Sequence, residues 1–260
     1  MRRLHSNERA GLWPVTLAFL LLVLCLWELA SRRAGSPDYF LGPIEIVNAA
    51  VVKLVHGNVL EPALRSSSRA FGGFFLGGAF GVALGLLSGV SRTVRNLFDV
   101  PQAFVHAIPK ISLFPAVAVW LGFTDASRIL IIGLSCFFPA YLNAMSGALG
   151  INSRYLWLCR NNEVSRLRTF LQVVLPASLM RTMVGLRISL MVAFILMVAT
   201  EVVGHSDGLG TIVMESYQEG DYRQMYAAIL FIALAGYLSN LALESVARRL
   251  CRGQAMEFGG

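Results

Sequence analysis

Glu201, His205 and Asp207 form a cluster able to hold a proton or a metal ion, with Glu201 and His205 one helical turn apart. His106 and Lys110 have the same spacing. A carboxylate beside an imidazole could do general acid and base work, and two or three such side chains could begin a metal site. No further ligand accompanies them, so the expectation is that the chain binds no metal and no cofactor of its own. Cys25, Cys136, Cys159 and Cys251 form no CxxC pair, which points away from a zinc site or a disulfide framework. The sequence contains no Walker-type phosphate loop, no G-x-S-x-G and no H-E-x-x-H. A catalytic reading, that of a polytopic membrane enzyme, therefore rests on these two clusters alone.

The elements that must position these residues are apolar. Of 260 residues, 56% are hydrophobic and 14% charged, against roughly a quarter charged in soluble domains. Apolar runs recur at about 13–30, 70–90, 100–122, 128–149, 179–203 and 225–244, each near the ~20 residues that cross the hydrocarbon layer. Segments this long satisfy their backbone in lipid only as helices. The fold expected is all-α: a polytopic membrane protein of six transmembrane helices. The N-terminus has the basic head and apolar middle of a secretory signal, but no small-x-small site precedes Ser31-Arg32-Arg33, so it reads as an uncleaved first span. Lysine and arginine exceed aspartate and glutamate, 22 to 15, yet the charges are scattered between spans and indicate no nucleic-acid partner. Arg2, Arg3, Arg9, Arg92, Arg95, Arg154, Arg160, Arg166, Arg168, Arg181, Arg248, Arg249 and Arg252 share one side. They outnumber Arg32, Arg33, Lys53, Arg65, Arg69, Arg128 and Arg223 on the other, which places both termini in the cytoplasm. Residues 1–12 are then a cytoplasmic N-terminus, 13–250 the transmembrane domain and 251–260 a cytoplasmic tail. Residues 36–69 read as an extracytoplasmic loop with a short surface helix.

Within the second span Gly73, Gly77, Gly81, Gly85 and Gly89 fall four residues apart, giving one face for close helix packing, within the subunit or against another. Pro101, Pro109 and Pro115 in the third span predict a kinked or partly unwound helix, tolerated only against protein or a water-filled cavity. Lys110 lies near the middle of that span and needs compensation: it faces a polar pathway with His106, or it snorkels or pairs with a neighbouring carboxylate. Asn143, deep in the fourth span, could bond a neighbouring helix or a solute.

Residues 161–178 read NNEVSRLRTFLQVVLPAS. Val164, Leu167, Leu171 and Val174 make an apolar stripe beside Ser165, Arg168, Thr169 and Gln172, so the segment predicts an amphipathic, basic, cytoplasmic helix that Pro176 ends or bends, the proline being well placed at the first turn of the fifth span. From about residue 39 onward the chain resembles the permease subunits of bacterial ATP-binding-cassette importers, in the branch handling nitrate, sulfonates and taurine. The stretches that carry the resemblance are LGPIEIVNAA, SRTVRNLFDVPQAFVHAIPKISLFPAVAVWLGF, SRILIIGLSCFFPAYLNAMSGALGI, FLQVVLPASLMRTMVGLRISL and ATEVVGHSDGLGTIV.

The resemblance implies that the loop at about 152–176 is the coupling element seated on a cytoplasmic ATPase, with Trp157, Arg160, Glu163, Arg166, Arg168, Phe170 and Pro176 as contact or turn residues. Trp157, Leu158 and Cys159 stand where the family has Glu-Ala-Ala, and Glu163 where it has glycine. Glycine there permits a left-handed turn that costs glutamate more. His106, Lys110, Asn143 and Glu201 are the candidate translocation-path residues, and Glu201 with the Gly208-Leu209-Gly210 turn takes a gating or extracytoplasmic structural role. The partners implied are ATP-hydrolysing subunits, a second permease copy or paralogue, an extracytoplasmic binding protein, membrane lipid and a small solute. Basic residues at membrane depth favour an anion. The expected location is the bacterial inner membrane. A degenerate coupling loop acting within a heterodimer remains a second possibility.

Overall fold

Apolar sequence this continuous has helix as its available form in lipid, and the computed structural model contains no strand among the described residues. It describes residues 4–33, 35–205 and 207–251, with the side chains of residues 4–13, 100, 106 and 107 outside that description. The helices are α1 (Leu4–Ser31), α2 (Pro43–His56), α3 (Leu60–Val90), α4 (Arg92–Ala107), α5 (Phe114–Leu121), α6 (Asp125–Leu149), α7 (Ser153–Asn161), α8 (Arg166–Thr169), α9 (Leu175–Gly204), α10 (Leu209–Glu219) and α11 (Tyr222–Leu250).

Five segments among the described residues are long and apolar enough to cross a membrane, and the bent pair Arg92–Val105 and Lys110–Leu121 makes the sixth. The six-span expectation therefore stands, with the third span broken by 84°. Only one of its three prolines breaks it. Pro101 lies inside α4, and Pro115 occupies the first turn of α5, where a missing N–H costs nothing. Pro109 forces Ile108 into an extended conformation (ψ 130°) and ends α4. The chain restarts as a 3-10 turn, Lys110–Leu113.

The second span differs from expectation at its start. α3 begins at Leu60, ten residues before the apolar run, so the expected loop ends at residue 59 and holds α2 as its surface helix. Hydropathy misses the extension because Ser66 and Arg69 are polar, yet both are buried.

Contacts divide the chain into two units, residues 1–60 with 212–231 and residues 61–211 with 232–260. In the first, Glu28 accepts from the Ile44 backbone N–H at 3.1 Å, joining the end of α1 to the start of α2. Arg223 Nε donates to Glu45 at 2.8 Å, and Tyr226 donates to the Tyr39 carbonyl at 3.2 Å.

The second unit is organised on α6. The glycine ladder of α3 lies along it: a Cβ on Gly77 would stand 1.9 Å from the Gly133 carbonyl oxygen, and one on Gly81 2.5 Å from that of Phe137. Gly73, Gly85 and Gly89 meet Ile132, Tyr141 and Ala148 in the same way. The ladder thus packs within the subunit. On the other side α9 runs antiparallel to α6. Cys136 Sγ donates to the Ser189 carbonyl at 3.2 Å while Ser189 Oγ donates to the Cys136 carbonyl at 2.7 Å, and Gly185 and Gly147 let the helices approach at Asn143 and Ser178.

Candidate functional site

The segment between α6 and α9 is built as an elbow. Asn152 caps α7 by accepting from the Arg154 N–H, and the helix closes at Asn161. Glu163 then takes φ +53°, the left-handed conformation that its alignment with a family glycine predicts. Ser165 opens α8, its hydroxyl accepting from the Arg168 N–H.

The expected single amphipathic helix over 161–178 is corrected in two respects. Helix begins only at Arg166, because the turn through Glu163 precedes it. Pro176 does not end it but stands in the first turn of α9, the place expected for it in the fifth span: Phe170–Val174 forms a π turn, with the Leu175 N–H bonded to the Phe170 carbonyl, and the chain continues into α9. A proline ring crowds the carbonyl four residues earlier, and the extra residue in the turn supplies the room.

The anticipated apolar stripe divides. Val174 is buried with Leu86, Ala144 and Ala148, and Phe170 packs partly against this group. Leu167 (70% exposed), Leu171 and Trp157 (63% exposed) point outward beside the exposed Arg166 and Arg168. One end of the elbow is anchored in the α3–α6 core while the other presents an apolar and basic patch. Arg160 and Glu163 are also on the surface.

A second feature sits beside the break in the third span. The 3-10 turn places the Lys110 ammonium 4.7 Å from the centroid of the Phe138 ring, a cation–π contact. Both line a cavity of about 580 Å³ bounded by α6 and α9, with Asn143, Ser135, Val192 and Ile195 among its walls. Asn143 Nδ2 donates to the Pro139 carbonyl at 2.9 Å, within its own helix rather than to a neighbour. Lys110 and Asn143 are thus brought together. The side chain of His106 lies outside the described residues.

Glu201 lies elsewhere, at the end of α6 and α9 remote from the elbow. The length of α6 separates the two ends by about 37 Å at 1.5 Å per residue. Glu201 is fully buried and Arg69 is 2% exposed; Arg69 Nη1 donates to the Glu201 carboxylate at 2.8 Å. Arg69 also holds Asp125 at 2.7 Å through Nε and Asp207 at 3.0 Å through Nη2. Ser66 Oγ donates to the Glu201 carboxylate at 2.8 Å and accepts from the Leu209 N–H at 2.9 Å. The Gly210 N–H donates to Glu201 Oε2 at 2.9 Å, and a Cβ on Gly208 would collide with that carboxylate. The Gly-Leu-Gly turn is therefore the cradle of Glu201. Arg65 pairs with the outer oxygen of Asp207, and hydrogen bonding from Arg69 holds the Asp207 carboxyl below the usual carboxylate range.

The Glu201, His205 and Asp207 grouping dissolves in this geometry. His205 leaves the end of α9 in a left-handed conformation and is exposed, and no three His, Cys, Asp or Glu side chains among the described residues could hold a metal. The residues the sequence reading missed are Ser66, Arg69 and Asp125. A signal was present in the ends of the apolar runs, where each of three spans carries a charge at the same side of the bilayer. Arg187 was missed likewise: its Nε donates to Asn240 at 3.0 Å, tying α9 to α11.

Residues 81–254 match the family described as binding-protein-dependent transport system inner membrane component. The putative aliphatic sulfonates transport permease protein SsuC of Bacillus subtilis (strain 168) is 27% identical over 253 residues, 97% of this chain and 91% of that protein. The taurine transport system permease protein TauC of Escherichia coli (strain K12) is 27% identical over 262 residues, covering 95% and 94%. The nitrate import permease protein NrtB of Leptolyngbya laminosa is 25% identical over 246 residues, covering 91% and 87%. A chain of the MetNI methionine ABC transporter in an inward-facing conformation superposes with a TM-score of 0.63 at 19% identity, over 74% of this chain and 95% of that one, a likeness of fold. With the family match spanning most of its helices, the chain belongs to the inner-membrane components of binding-protein-dependent transport systems, the permease subunits of ATP-binding-cassette importers.

Proposed function

We propose that the chain is one of two permease subunits lining a solute path, and that cytoplasmic ATPase subunits drive it through the elbow at 152–176. An extracytoplasmic binding protein delivers a small anion of the nitrate, sulfonate or taurine kind. ATP is bound and hydrolysed on the partner chains, both termini lie in the cytoplasm, and residues 13–250 form the transmembrane domain.

The observation that carries this reading is the elbow itself. Its exposed face offers Trp157, Leu167, Leu171, Arg166 and Arg168 to a partner, and its buried face is continuous through the π turn with α9. A displacement of the exposed end has a rigid route to the α6–α9 pair, which a two-state permease requires. Glu163 takes the left-handed conformation (φ +53°) that a glycine would take there, which supports an ATPase with a complementary groove over an uncoupled paralogue.

The test is reconstitution in vesicles with the ATPase and binding protein encoded beside it. Uptake should require ATP, and Arg166→Glu with Arg168→Glu should reduce both uptake and ATPase co-purification. Uptake that persists with an inactivated ATPase refutes the reading.

A further inference from the structure

The π turn at the root of the elbow separates residues that an unbroken helix would align. Leu167 and Val174 are seven residues apart, so at about 3.6 residues per turn they would stand within about 20° of each other. The turn Phe170–Val174 takes up one residue more than an α turn, which reduces the effective spacing by one and swings the two about 120° apart. Their burial follows that angle: Val174 is 2% exposed, in the core with Leu86, Ala144 and Ala148, while Leu167 is 70% exposed. The cause sits just beyond the turn. Pro176 offers no N–H to the Gln172 carbonyl and its ring crowds that oxygen, so a regular α turn is closed off where the π turn stands. Helix is continuous from Arg166 to Gly204, so the phase set at this point passes directly to α8.

We infer that the π turn is a phase-setting joint and that Pro176 is its positioning residue: together they fix the azimuth at which Arg166, Leu167 and Arg168 meet the ATPase while Val174 stays anchored. The inference rests on the proposed docking role of the elbow and says what aims it. With alanine in place of the proline, the N–H of residue 176 closes the regular bond to the Gln172 carbonyl and the π turn relaxes to the far commoner α turn. The helix upstream then rotates by one residue, about 100°. Leu167 swings to the side of Val174, the single apolar stripe written in the sequence is restored, and the patch leaves the line of its partner. Deleting one residue of the turn cancels that rotation, because a π turn less its extra residue is an α turn with both flanks in their native phase.

The permease with its four native cysteines replaced, bearing Leu167→Cys or Val174→Cys, is labelled with a maleimide in detergent without the ATPase. Co-purification of the ATPase is measured in parallel with residues 167 and 174 unchanged. Each measurement is made in the parent, in Pro176→Ala, and in Pro176→Ala with Gln172 deleted. The parent should label at Leu167→Cys and not at Val174→Cys. Pro176→Ala should slow labelling of Leu167→Cys severalfold and lower co-purification about tenfold or more, since withdrawing one leucine from a contact weakens affinity by that much. Deleting Gln172 as well should return both to the parent level, although the chain is then altered twice; a merely structural role makes the compound variant the worse of the two. Protection of Val174→Cys certifies the fold in each background. Should Pro176→Ala lose that protection, the compound variant decides: parent-like labelling of Leu167→Cys supports the joint and altered labelling overturns it. Parent-like labelling in a folded Pro176→Ala, or a deletion that fails to restore it, overturns the inference whatever the ATPase does. Labelling that follows the expected pattern while co-purification is unchanged throughout upholds the joint and defeats the docking proposal instead.

Discussion

Removing the Arg69 guanidinium as Arg69→Met leaves the fully buried Glu201 carboxylate, among the described residues, with the Ser66 hydroxyl and the Gly210 N–H as its hydrogen-bond donors. Breaking a buried pair by deleting one partner costs about 3–5 kcal/mol, because the remaining charge has no compensation. Arg65 provides an internal control: it pairs with the same Asp207, but both side chains are exposed, at 49% and 59%. An exposed pair is worth about 0–1 kcal/mol, so Arg65→Met should be nearly silent. The double variant Arg69→Met with Glu201→Met replaces the buried pair by apolar side chains of similar length. It should recover much of the loss, since Asp125 and Asp207 are solvated and the groups that lose their partner are the Ser66 hydroxyl and the Gly210 N–H. Denaturant unfolding of the detergent-solubilised permease, followed by helical circular dichroism, measures all three. If Arg69→Met proves as mild as Arg65→Met, or the double variant is worse than Arg69→Met alone, the cluster is not the buried ionic lock described.

Gly77→Ala should destabilise by about 1–3 kcal/mol, because its Cβ would enter the Gly133 carbonyl, whereas Gly236→Ala, whose Cβ would meet Phe194 at 3.8 Å, should be tolerated in the same unfolding assay. Glu163→Gly relieves a left-handed residue worth about 1–2 kcal/mol and gives back about 0.4–1 kcal/mol of unfolded-state entropy. The net is a small stabilisation, read as protection of the elbow in hydrogen exchange, while Glu163→Val should lose that protection. Asp207 titrates below its unfolded value, so its contribution is present above the ordinary carboxylate range and is lost as pH falls through the lowered folded value. Because Arg69 is the main cause, Arg69→Met should flatten the part of the acid limb of the pH–stability profile that Asp207 contributes.

The spans were legible because period and length are written in single residues, and the φ of Glu163 followed from one aligned position. The α3 extension was not, since hydropathy counts Ser66 and Arg69 as surface, and only partners distant in sequence, Asp125 and Glu201, make them interior. The π turn was hidden for a related reason. Proline signals an end, and whether the helix instead absorbs it depends on Val174 being held in the core. Lys110 and Asn143 were read singly, and the cavity that joins them needed the 84° break to be placed in space.

The central claim is that the elbow faces the cytoplasm and touches the motor. With the four native cysteines replaced, Arg166→Cys is treated with a membrane-impermeant maleimide in intact cells and in inverted vesicles, with and without the ATPase subunit. Labelling from the inner face alone, blocked by the ATPase, is the result expected. Labelling from the outer face, or labelling at the inner face that the ATPase leaves unchanged, contradicts the account.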